Sequence, residues 1–341
     1  MSQTPFEVVT GLPDDYDWGG HDTAAPRGRL DQAKPPAGLI DHEVGAAAYR
    51  PDPRLVTAAN AAIHLRAPLL LTGDPGTGKT QFAWFLKRYF GIEIFPYTVR
   101  STSTARDLRY DFDAVAYLRE AYLAQASPKD GKGPTSARTA DPNPDPNGDP
   151  RMAHIARGPL WRAFEHPDPC VVLIDEIDKA PRDFPNDLLQ ELDKQEFPHP
   201  FSPDPKQAVR AARDRLPIVL VTSNNERRLP DAFLRRCIVH HIELTRGLME
   251  RAVAAHGGDY PRLPEPVRQA AIDRFENLRR LDRLSRKPGV AELLAWLVTL
   301  ARASPNLSRE ELLTADLGEL HIHCLIKDHD DLAILAEAKR R

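Results

Sequence analysis

Short apolar runs occupy the first two thirds of the chain and give way to helical spacing in the last third. Five of these runs have the length of buried strands. They are Pro68–Thr72, Ile92–Val99, Cys170–Ile174, Pro217–Thr222 and Cys237–Leu244. Beyond Thr245 no comparable run occurs, and apolar residues recur at helical intervals, as they do from Leu293 to Leu300. The pattern predicts an α/β region followed by an all-helical region of about 95 residues.

Apolar positions spaced three and four apart predict the helices that lie between and after these strands. In the α/β region the helices begin near Asp52 and cover Lys79–Phe90, Leu108–Gln125, Gly158–Phe164 and Asp187–Asp193. In the helical region they cover Leu248–Ala255, Pro266–Leu281, Val290–Ala303 and Asp331–Lys339. The charged group Arg279–Asp282 lies at the end of one of these helices, and we expect it to be solvated.

Two stretches lack the regular apolar pattern of a folded core. Residues 1–35 contain Gly19-Gly20, Pro26 and Pro35-Pro36, so we expect a flexible N-terminal segment. Residues 127–151 contain no Val, Ile, Leu or aromatic residue and predict a mobile insertion or long loop. The predicted organisation is therefore a segment 1–35, an α/β core over 36–245 that carries the insertion 127–151, and a helical region over 246–341.

The charge balance narrows the functional classes. The 341 residues include 46 Lys and Arg and 49 Asp and Glu, a formal net charge of −3. A dedicated electrostatic nucleic-acid binder carries a basic excess, so a nucleic-acid partner is disfavoured. No apolar run approaches the roughly 20 residues of a membrane helix, and no secretory signal is visible. Because Cys170, Cys237 and Cys324 are widely spaced, we expect no disulfide framework and a cytoplasmic location.

The segment after the first strand has the pattern of a phosphate-binding loop. Gly73-Asp74-Pro75-Gly76-Thr77-Gly78-Lys79-Thr80 matches G-x-x-x-x-G-K-[ST]. Glycines let backbone N–H groups approach phosphate oxygens, and the N-terminus of the following helix adds its dipole. Lys79 supplies a positive charge for the β- and γ-phosphates, and the Thr80 hydroxyl is a candidate Mg²⁺ ligand. An apolar strand precedes the loop and a helix follows it, so the pattern predicts a nucleotide site.

Two adjacent acids follow the apolar run Cys170–Ile174. The carboxyl ends of parallel strands line the ligand crevice, so we expect Asp175 and Glu176 to lie beside the phosphates. Asp175 then belongs to the Mg²⁺ shell, and Glu176 polarises the attacking water as general base. The chain has no Asn-Lys-x-Asp motif of a GTPase, and a small-molecule kinase has no need of the second acid. The acids therefore favour hydrolysis of ATP.

A polar strand end and a pair of arginines complete the candidate site. If the strand Ile218–Val221 lies between the phosphate-loop strand and the acidic strand, Asn224 can orient the lytic water or contact the γ-phosphate. Arg235 and Arg236 precede the last strand and suit an arginine finger, which one subunit inserts into its neighbour's site. Either of the two arginines can be the finger.

In this order the motifs resemble those of the AAA+ ATPases, and within them the MoxR-like group. The segments that carry the resemblance are Pro68–Thr80 (Walker A), Leu173–Ala180 (Walker B), Thr222–Asn225 (sensor 1) and Leu229–Cys237 (arginine finger). Lys287–Leu297 is similar to the start of the lid helix that bears sensor 2, so Arg286 or Lys287 would reach the γ-phosphate. The likeness spans about residues 40–305.

The resemblance implies a fold, a reaction and partners. The implied fold is an α/β sandwich with a five-stranded parallel sheet (the AAA+ core), followed by a small all-helical lid domain. The implied cofactors are ATP and Mg²⁺. The active form would be a homo-oligomer, commonly a hexameric ring with ATP at the subunit interfaces. Such rings remodel or chaperone protein clients, often beside a von Willebrand factor A domain protein.

Two other functions stay open on the sequence. An ATP-gated assembly switch or scaffold would bind ATP and assemble with little turnover, and replacing Glu176 distinguishes it from a hydrolase. A DNA-associated AAA+ motor subunit would show a salt-sensitive ATPase activity that DNA stimulates. The near-neutral charge disfavours the motor.

Overall fold

The structure, a computed structural model, describes residues 36–126, 149–202, 204 and 207–338. The predicted N-terminal segment 1–35 and residues 127–148 of the predicted insertion lie outside the described residues. Within the described part, no helix is both long and apolar enough to cross a membrane.

Five of the strands form one parallel sheet. The strands are β1 Leu69–Gly73, β2 Glu93–Thr98, β3 Tyr110–Phe112, β4 Ile155–Arg157, β5 Cys170–Asp175, β6 Glu196–Pro198, β7 Ala208–Arg210, β8 Ile218–Ser223 and β9 Ile238–Ile242. The order in the sheet is β2-β5-β8-β1-β9. Antiparallel pairing joins β3 to β4 and β6 to β7. The predicted five-stranded parallel sheet is confirmed, and β8 lies between the phosphate-loop strand and the acidic strand as expected.

Helices flank the sheet strands in the chain and cover about two thirds of the described residues after Thr245. The α-helices are α1 Ala37–Ile40, α2 His42–Gly45, α3 Pro53–Leu65, α4 Lys79–Phe90, α5 Ala105–Arg109, α6 Ala114–Ala126, α7 Pro159–Phe164, α8 Phe184–Asp187, α9 Leu189–Lys194, α10 Asp231–Leu234, α11 Arg246–Ala255, α12 Glu265–Arg279, α13 Val290–Ala303, α14 Arg309–Thr314 and α15 His329–Ala338. Short 3₁₀ helices cover Pro150–His154, Ile177–Lys179, Gly257–Asp259 and Ile322–Cys324. The predicted bounds of α4 and α13 are confirmed to the residue.

The contacts group the chain into two compact units. The sheet unit consists of residues 56–72 and 89–240. The lid unit consists of the described residues up to 55, of residues 73–88, and of residues from 241 onward. The phosphate-loop segment is thus grouped with the C-terminal helices, while both acids belong to the sheet unit. The predicted domain boundaries stay predictions.

The core of the sheet unit explains why its strands appear as apolar runs rather than as alternating patterns. All residues of β1 are buried, as are Cys170–Ile174 of β5 and Val219–Ser223 of β8. A parallel sheet with both faces covered buries every side chain of its central strands. Aromatic side chains such as Trp161, Phe197 and Phe233 fill the space around these strands.

The predicted single helix Leu108–Gln125 is wrong. The chain instead ends α5 at Arg109, forms the strand β3, and begins α6 at Ala114. β3 pairs with β4, a strand more than forty residues later, so tertiary pairing outweighs the local helical spacing. Asp113 then starts α6, since its carboxylate accepts a 2.8 Å hydrogen bond from the N–H of Ala116.

The core of the lid unit is built by α11, α12 and α13. Their buried side chains include Met249, Phe275 and Trp296. The indole N–H of Trp296 donates to the carbonyl oxygen of Leu320 at 2.5 Å, so the one polar atom of this buried ring is satisfied. This core gives α12 and α13 a rigid base from which their ends contact the phosphate-loop segment.

Candidate active site

The phosphate-loop segment Gly73–Thr80 has a backbone that requires glycine. Gly76 and Gly78 have φ values of +75° and +89°, which L side chains rarely adopt. A Cβ on Gly78 would also lie 2.9 Å from the ring of Tyr49, whose burial raises the pKa of its hydroxyl. Helix α4 begins within the segment, at Lys79, so the N–H groups of its first turn adjoin the loop. The backbone therefore suits an anion.

Hydrogen bonds from Lys79 and Thr77 close this loop on itself. Nζ of Lys79 donates to the carbonyl oxygens of Gly73 and Asp74, at 2.9 and 2.8 Å. The Thr77 hydroxyl donates to the same Asp74 oxygen at 2.9 Å. Both side chains are buried. The carbonyl oxygen of Asp74 therefore accepts hydrogen bonds from both Lys79 and Thr77.

Residues of the C-terminal helices contact this loop within the lid unit. Nη2 of Arg279 lies 2.9 Å from Oδ2 of Asp74, and Nη1 of Arg279 donates to the carbonyl oxygen of Pro288. A Cβ on Gly76 would lie 3.2 Å from Oε2 of Glu292, which itself accepts from the N–H of Gly289. The expectation that Arg279 is solvated is wrong, because its side chain is 16% exposed and paired with the loop.

The segment before α13 is held by the C-terminal helix α15. Buried Asp331 accepts hydrogen bonds from the N–H and the hydroxyl of Ser285, at 2.8 and 3.0 Å, and from the N–H of Arg286 at 3.2 Å. The bond from the Ser285 backbone is the main cause that lowers the pKa of Asp331. The side chains of Arg286 and Lys287 are exposed, and neither forms a hydrogen bond or ion pair within the described residues. The role of Lys287 at the γ-phosphate stays a prediction.

In the sheet unit, one buried hydroxyl links the two acids. Thr222, near the end of β8, is 1% exposed. Its hydroxyl donates to Oδ1 of Asp175 at 2.6 Å and accepts from the N–H of Glu176 at 2.9 Å. Glu176 has a left-handed backbone, with φ +61°, which turns the chain sharply out of β5. Thr222 thereby sets both the orientation of Asp175 and the position of this turn.

The Glu176 carboxylate lies between an amide and an ammonium group. Nδ2 of Asn224 is 3.5 Å from Oε1, a long contact, and Nζ of Lys179 is 2.6 Å from Oε2. The hydrogen bond to Glu176 raises the pKa of Lys179, so Lys179 carries its charge at neutral pH. The structure thus brings the predicted base and the predicted sensor together, and it adds a lysine to them.

A buried carboxylate holds the loop that carries Asn224. Asp178 is 2% exposed and accepts from the N–H of Asn224 at 3.1 and 3.2 Å and from the N–H of Glu226 at 3.0 Å. Asp178 belongs to the 3₁₀ turn Ile177–Lys179 that directly follows Glu176. Glu176 and the loop that carries Asn224 are therefore held by one short stretch of chain.

The two candidate finger arginines differ in their partners. Nε of Arg236 lies 2.6 Å from Oδ2 of Asp193, and its Nη1 donates to the carbonyl oxygen of Ala232 at 2.9 Å. Arg235 is exposed, and its side chain forms no hydrogen bond or ion pair within the part of the chain that the structure describes. Arg236 is thus engaged within the chain, whereas the Arg235 side chain has no such partner among the described residues.

Three contacts of the site were not predicted, and they differ in the signal that could have found them. Lys179 follows Glu176 by three residues, a spacing that brings side chains together in a helical turn. Thr222 lies near the end of β8, which pairs with the acidic strand β5. The strand order assumed from the sequence was therefore enough to indicate its contact with the acids. Arg279 is 205 residues from Asp74, and no local pattern indicates such a pair.

In each unit, taken by itself, the donor groups are of the types that bind part of a nucleotide and its metal ion. Backbone N–H groups, a helix N-terminus and the Lys79 ammonium match the oxygens of a polyphosphate. The Thr80 hydroxyl of the lid unit is a hard oxygen donor of the kind that Mg²⁺ prefers, and so, within the sheet unit, is the Asp175 carboxylate. Glu176, which is paired with Lys179, is a second carboxylate of the sheet unit and a candidate proton acceptor.

Comparisons with known proteins agree with these features. Residues 68–237 match the family described as AAA domain (dynein-related subfamily). No curated protein matches the sequence. The chain is also similar to the protein in the crystal structure of a "putative ATPase" from Cytophaga hutchinsonii. The sequence identity is 11% and the TM-score is 0.36, with 89% of this chain and 92% of that chain covered. On the family match, the chain contains an AAA domain of the AAA+ ATPases.

Proposed function

We propose that the chain hydrolyses ATP in a Mg²⁺-dependent reaction. The observation that carries the proposal is the group formed by Asp175, Glu176 and Asn224, with Thr222 joining the first two. In this mechanism Asp175 contributes to the Mg²⁺ shell. Glu176 takes the proton of the attacking water, and Asn224 orients that water or the γ-phosphate.

The phosphate-loop segment is proposed to bind the same nucleotide. Support comes from the covalent chain and the sheet order: Thr72 pairs in register with Ser223, and Gly73 directly follows Thr72. In this proposal Lys79 stabilises charge on the β- and γ-phosphates, and Thr80 is the second protein ligand of Mg²⁺. Arg286 or Lys287 remains the proposed contact from the helical region to the γ-phosphate.

We further propose a ring, a hexamer by resemblance, in which an arginine of one subunit completes the site of the next. Arg235, which is exposed and has no side-chain partner in the described part of the chain, is the better candidate for this finger, because Arg236 is held by Asp193. Replacing Arg235 by alanine is expected to lower kcat about 10³-fold or more while ADP still binds. The same change at Arg236 should lower kcat less; the reverse order would reassign the finger.

The biological role proposed is MoxR-like remodelling or chaperoning of protein clients, which the order of the motifs supports. A von Willebrand factor A domain protein is the proposed partner class. Pull-down with Glu176→Gln protein in ATP, compared with ADP, tests it: clients and partners should be enriched in ATP. Equal capture in both nucleotides would contradict the proposal.

Light scattering combined with turnover tests the hydrolysis and ring proposals together. Glu176→Gln protein should convert from a 38.1 kDa monomer to a ring of several subunits when ATP is added. Wild-type protein should hydrolyse ATP with a rate per subunit that rises with concentration. Glu226→Gln, which removes an exposed carboxylate from the same region, is the control and should retain turnover. A monomer in ATP would remove the basis of the trans arginine.

The second candidate function is an ATP-gated assembly switch with little turnover. The 2.6 Å ion pair between Lys179 and Glu176 favours it, because an ammonium held against a carboxylate oxygen competes with the attacking water for that oxygen. If the pair restrains hydrolysis, Lys179→Met should raise kcat, and Lys179→Arg should keep it low. If Lys179→Met instead lowers kcat, Lys179 positions the base for hydrolysis and the switch loses its support.

A further inference from the structure

Arg279 joins two parts of the lid unit that are far apart in sequence. It is the last residue of α12, and its guanidinium reaches Oδ2 of Asp74 at 2.9 Å with one nitrogen and the carbonyl oxygen of Pro288 with another. The Arg279 side chain is 16% exposed, whereas that of Asp74 is 56% exposed. The arginine is therefore the more buried partner, and it presents its charge to a more accessible acid.

A second, independent contact occurs at the next two loop residues. A Cβ placed on Gly289 would overlap the carbonyl oxygen of Pro75, and one placed on Gly76 would lie 3.2 Å from Oε2 of Glu292. Backbone thus packs on backbone at the start of α13, with no room for a side chain. Three consecutive loop residues, Asp74 to Gly76, face the ends of α12 and α13.

The contact to Asp74 leads directly to the loop lysine. The carbonyl oxygen of Asp74 accepts from Nζ of Lys79 and from the hydroxyl of Thr77, while its carboxylate is paired with Arg279. A shift of Asp74 would therefore move the acceptor that positions the Lys79 ammonium. Because phosphate binding depends on where this ammonium lies, the position of Asp74 affects affinity.

We propose that Arg279 is a positioning residue of the phosphate-binding loop, which tunes nucleotide affinity by holding Asp74. The inference rests on the proposed function of the loop as a nucleotide site. It places Arg279, and not only Arg286 or Lys287, among the residues by which the helical region influences the nucleotide. Arg279 acts through Asp74 and does not touch the nucleotide.

Titration of a fluorescent ADP analogue with wild type and single variants tests the inference. Arg279→Ala should weaken binding about three- to fivefold, the range expected when a partly exposed ion pair is lost. Arg279→Lys should restore part of the affinity, since an ammonium can still pair with Asp74. The adjacent Arg280 is exposed, so Arg280→Ala is the matched control and should bind as wild type does.

A double-mutant cycle separates action through Asp74 from other effects. The losses of ADP affinity caused by Asp74→Ala and by Arg279→Ala should not add. The double variant should therefore bind ADP no more weakly than the single variant with the lower affinity. Full additivity would overturn the inference, as would wild-type affinity in Arg279→Ala. Thermal unfolding identifies a variant that fails to fold, and Arg279→Lys then carries the test. If wild type and Lys79→Ala both fail to bind ADP, the proposed function itself fails and the inference falls with it.

Discussion

Replacing Thr222 by valine removes one hydroxyl that serves both acids of the site. Valine keeps the β-branched shape of threonine, so the packing at this buried position is largely preserved. The loss falls on two hydrogen bonds, one donated to Asp175 at 2.6 Å and one accepted from the N–H of Glu176 at 2.9 Å. The substitution therefore tests whether the acids depend on this bridge.

The expected magnitude follows from the charge and burial of the three groups. The bond to the Asp175 carboxylate is charge-assisted and is worth about 1.5–3 kcal/mol, and the neutral bond from Glu176 about 1 kcal/mol. Thr222 is 1% exposed, so water does not readily replace the hydroxyl. We expect Thr222→Val to lower the free energy of unfolding by about 2–4 kcal/mol. Misplacement of Glu176 should lower kcat about 100-fold.

Thr222→Ser is the matched control, because serine keeps the hydroxyl and loses a methyl group. Urea unfolding and steady-state ATP hydrolysis should be measured for wild type and both variants, with ADP affinity as a third readout. Thr222→Ser should lie close to wild type in kcat, and ADP affinity should change little in either variant. If Thr222→Val and Thr222→Ser have the same kcat, the hydroxyl bridge does not position the base.

Two further predictions concern the lid unit. A Cβ on Gly289 would lie closer than 3.0 Å to the Pro75 carbonyl oxygen. Gly289→Ala should therefore lower the free energy of unfolding by about 1–3 kcal/mol and weaken ADP binding. The control is Gly258→Ala, whose added Cβ meets open space, and its thermal unfolding should match that of wild type. The pKa of Asp331 is lowered by folding, so its contribution is present above its unfolded pKa near 3.9 and is lost as pH falls through the lower folded value. In denaturant titrations Asp331→Asn should therefore be less stable than wild type at pH 7, and the difference should shrink below pH 4. The control Asp330→Asn, at an exposed position, should show no such difference. A difference at Asp331 that does not depend on pH would contradict the reasoning.

The sheet and the phosphate loop could be predicted because their requirements are local. A buried parallel strand needs an unbroken apolar run, and β5 and β8 have one. The loop needs glycine where φ is positive, as at Gly76 and Gly78, and no other residue type meets that need as cheaply. The helix α4 follows the loop at once, so its start at Lys79 was predictable as well.

The strand β3 could not be predicted because its cause is remote. The four-residue spacing of Leu108 and Phe112 fits one face of a helix, and in the nearby sequence only Asp113 signals a break. The pairing partner β4 lies beyond residues 127–148, so no hairpin turn marks the pair. A short two-stranded pair with one partner so distant leaves no period-2 pattern long enough to detect.

The supports of the site show the same division between local and remote causes. Lys179 reaches Glu176 across one turn, and its position in the chain already indicates that contact. Arg279 and Arg280 are neighbours of one type in one helix end, yet one is paired with the phosphate loop and the other is exposed. Local sequence assigns the same solvated state to both. Only the packing of the lid core, which fixes how the end of α12 is turned, distinguishes them. Substitution of these two arginines is therefore a direct measure of what tertiary structure adds to the motif.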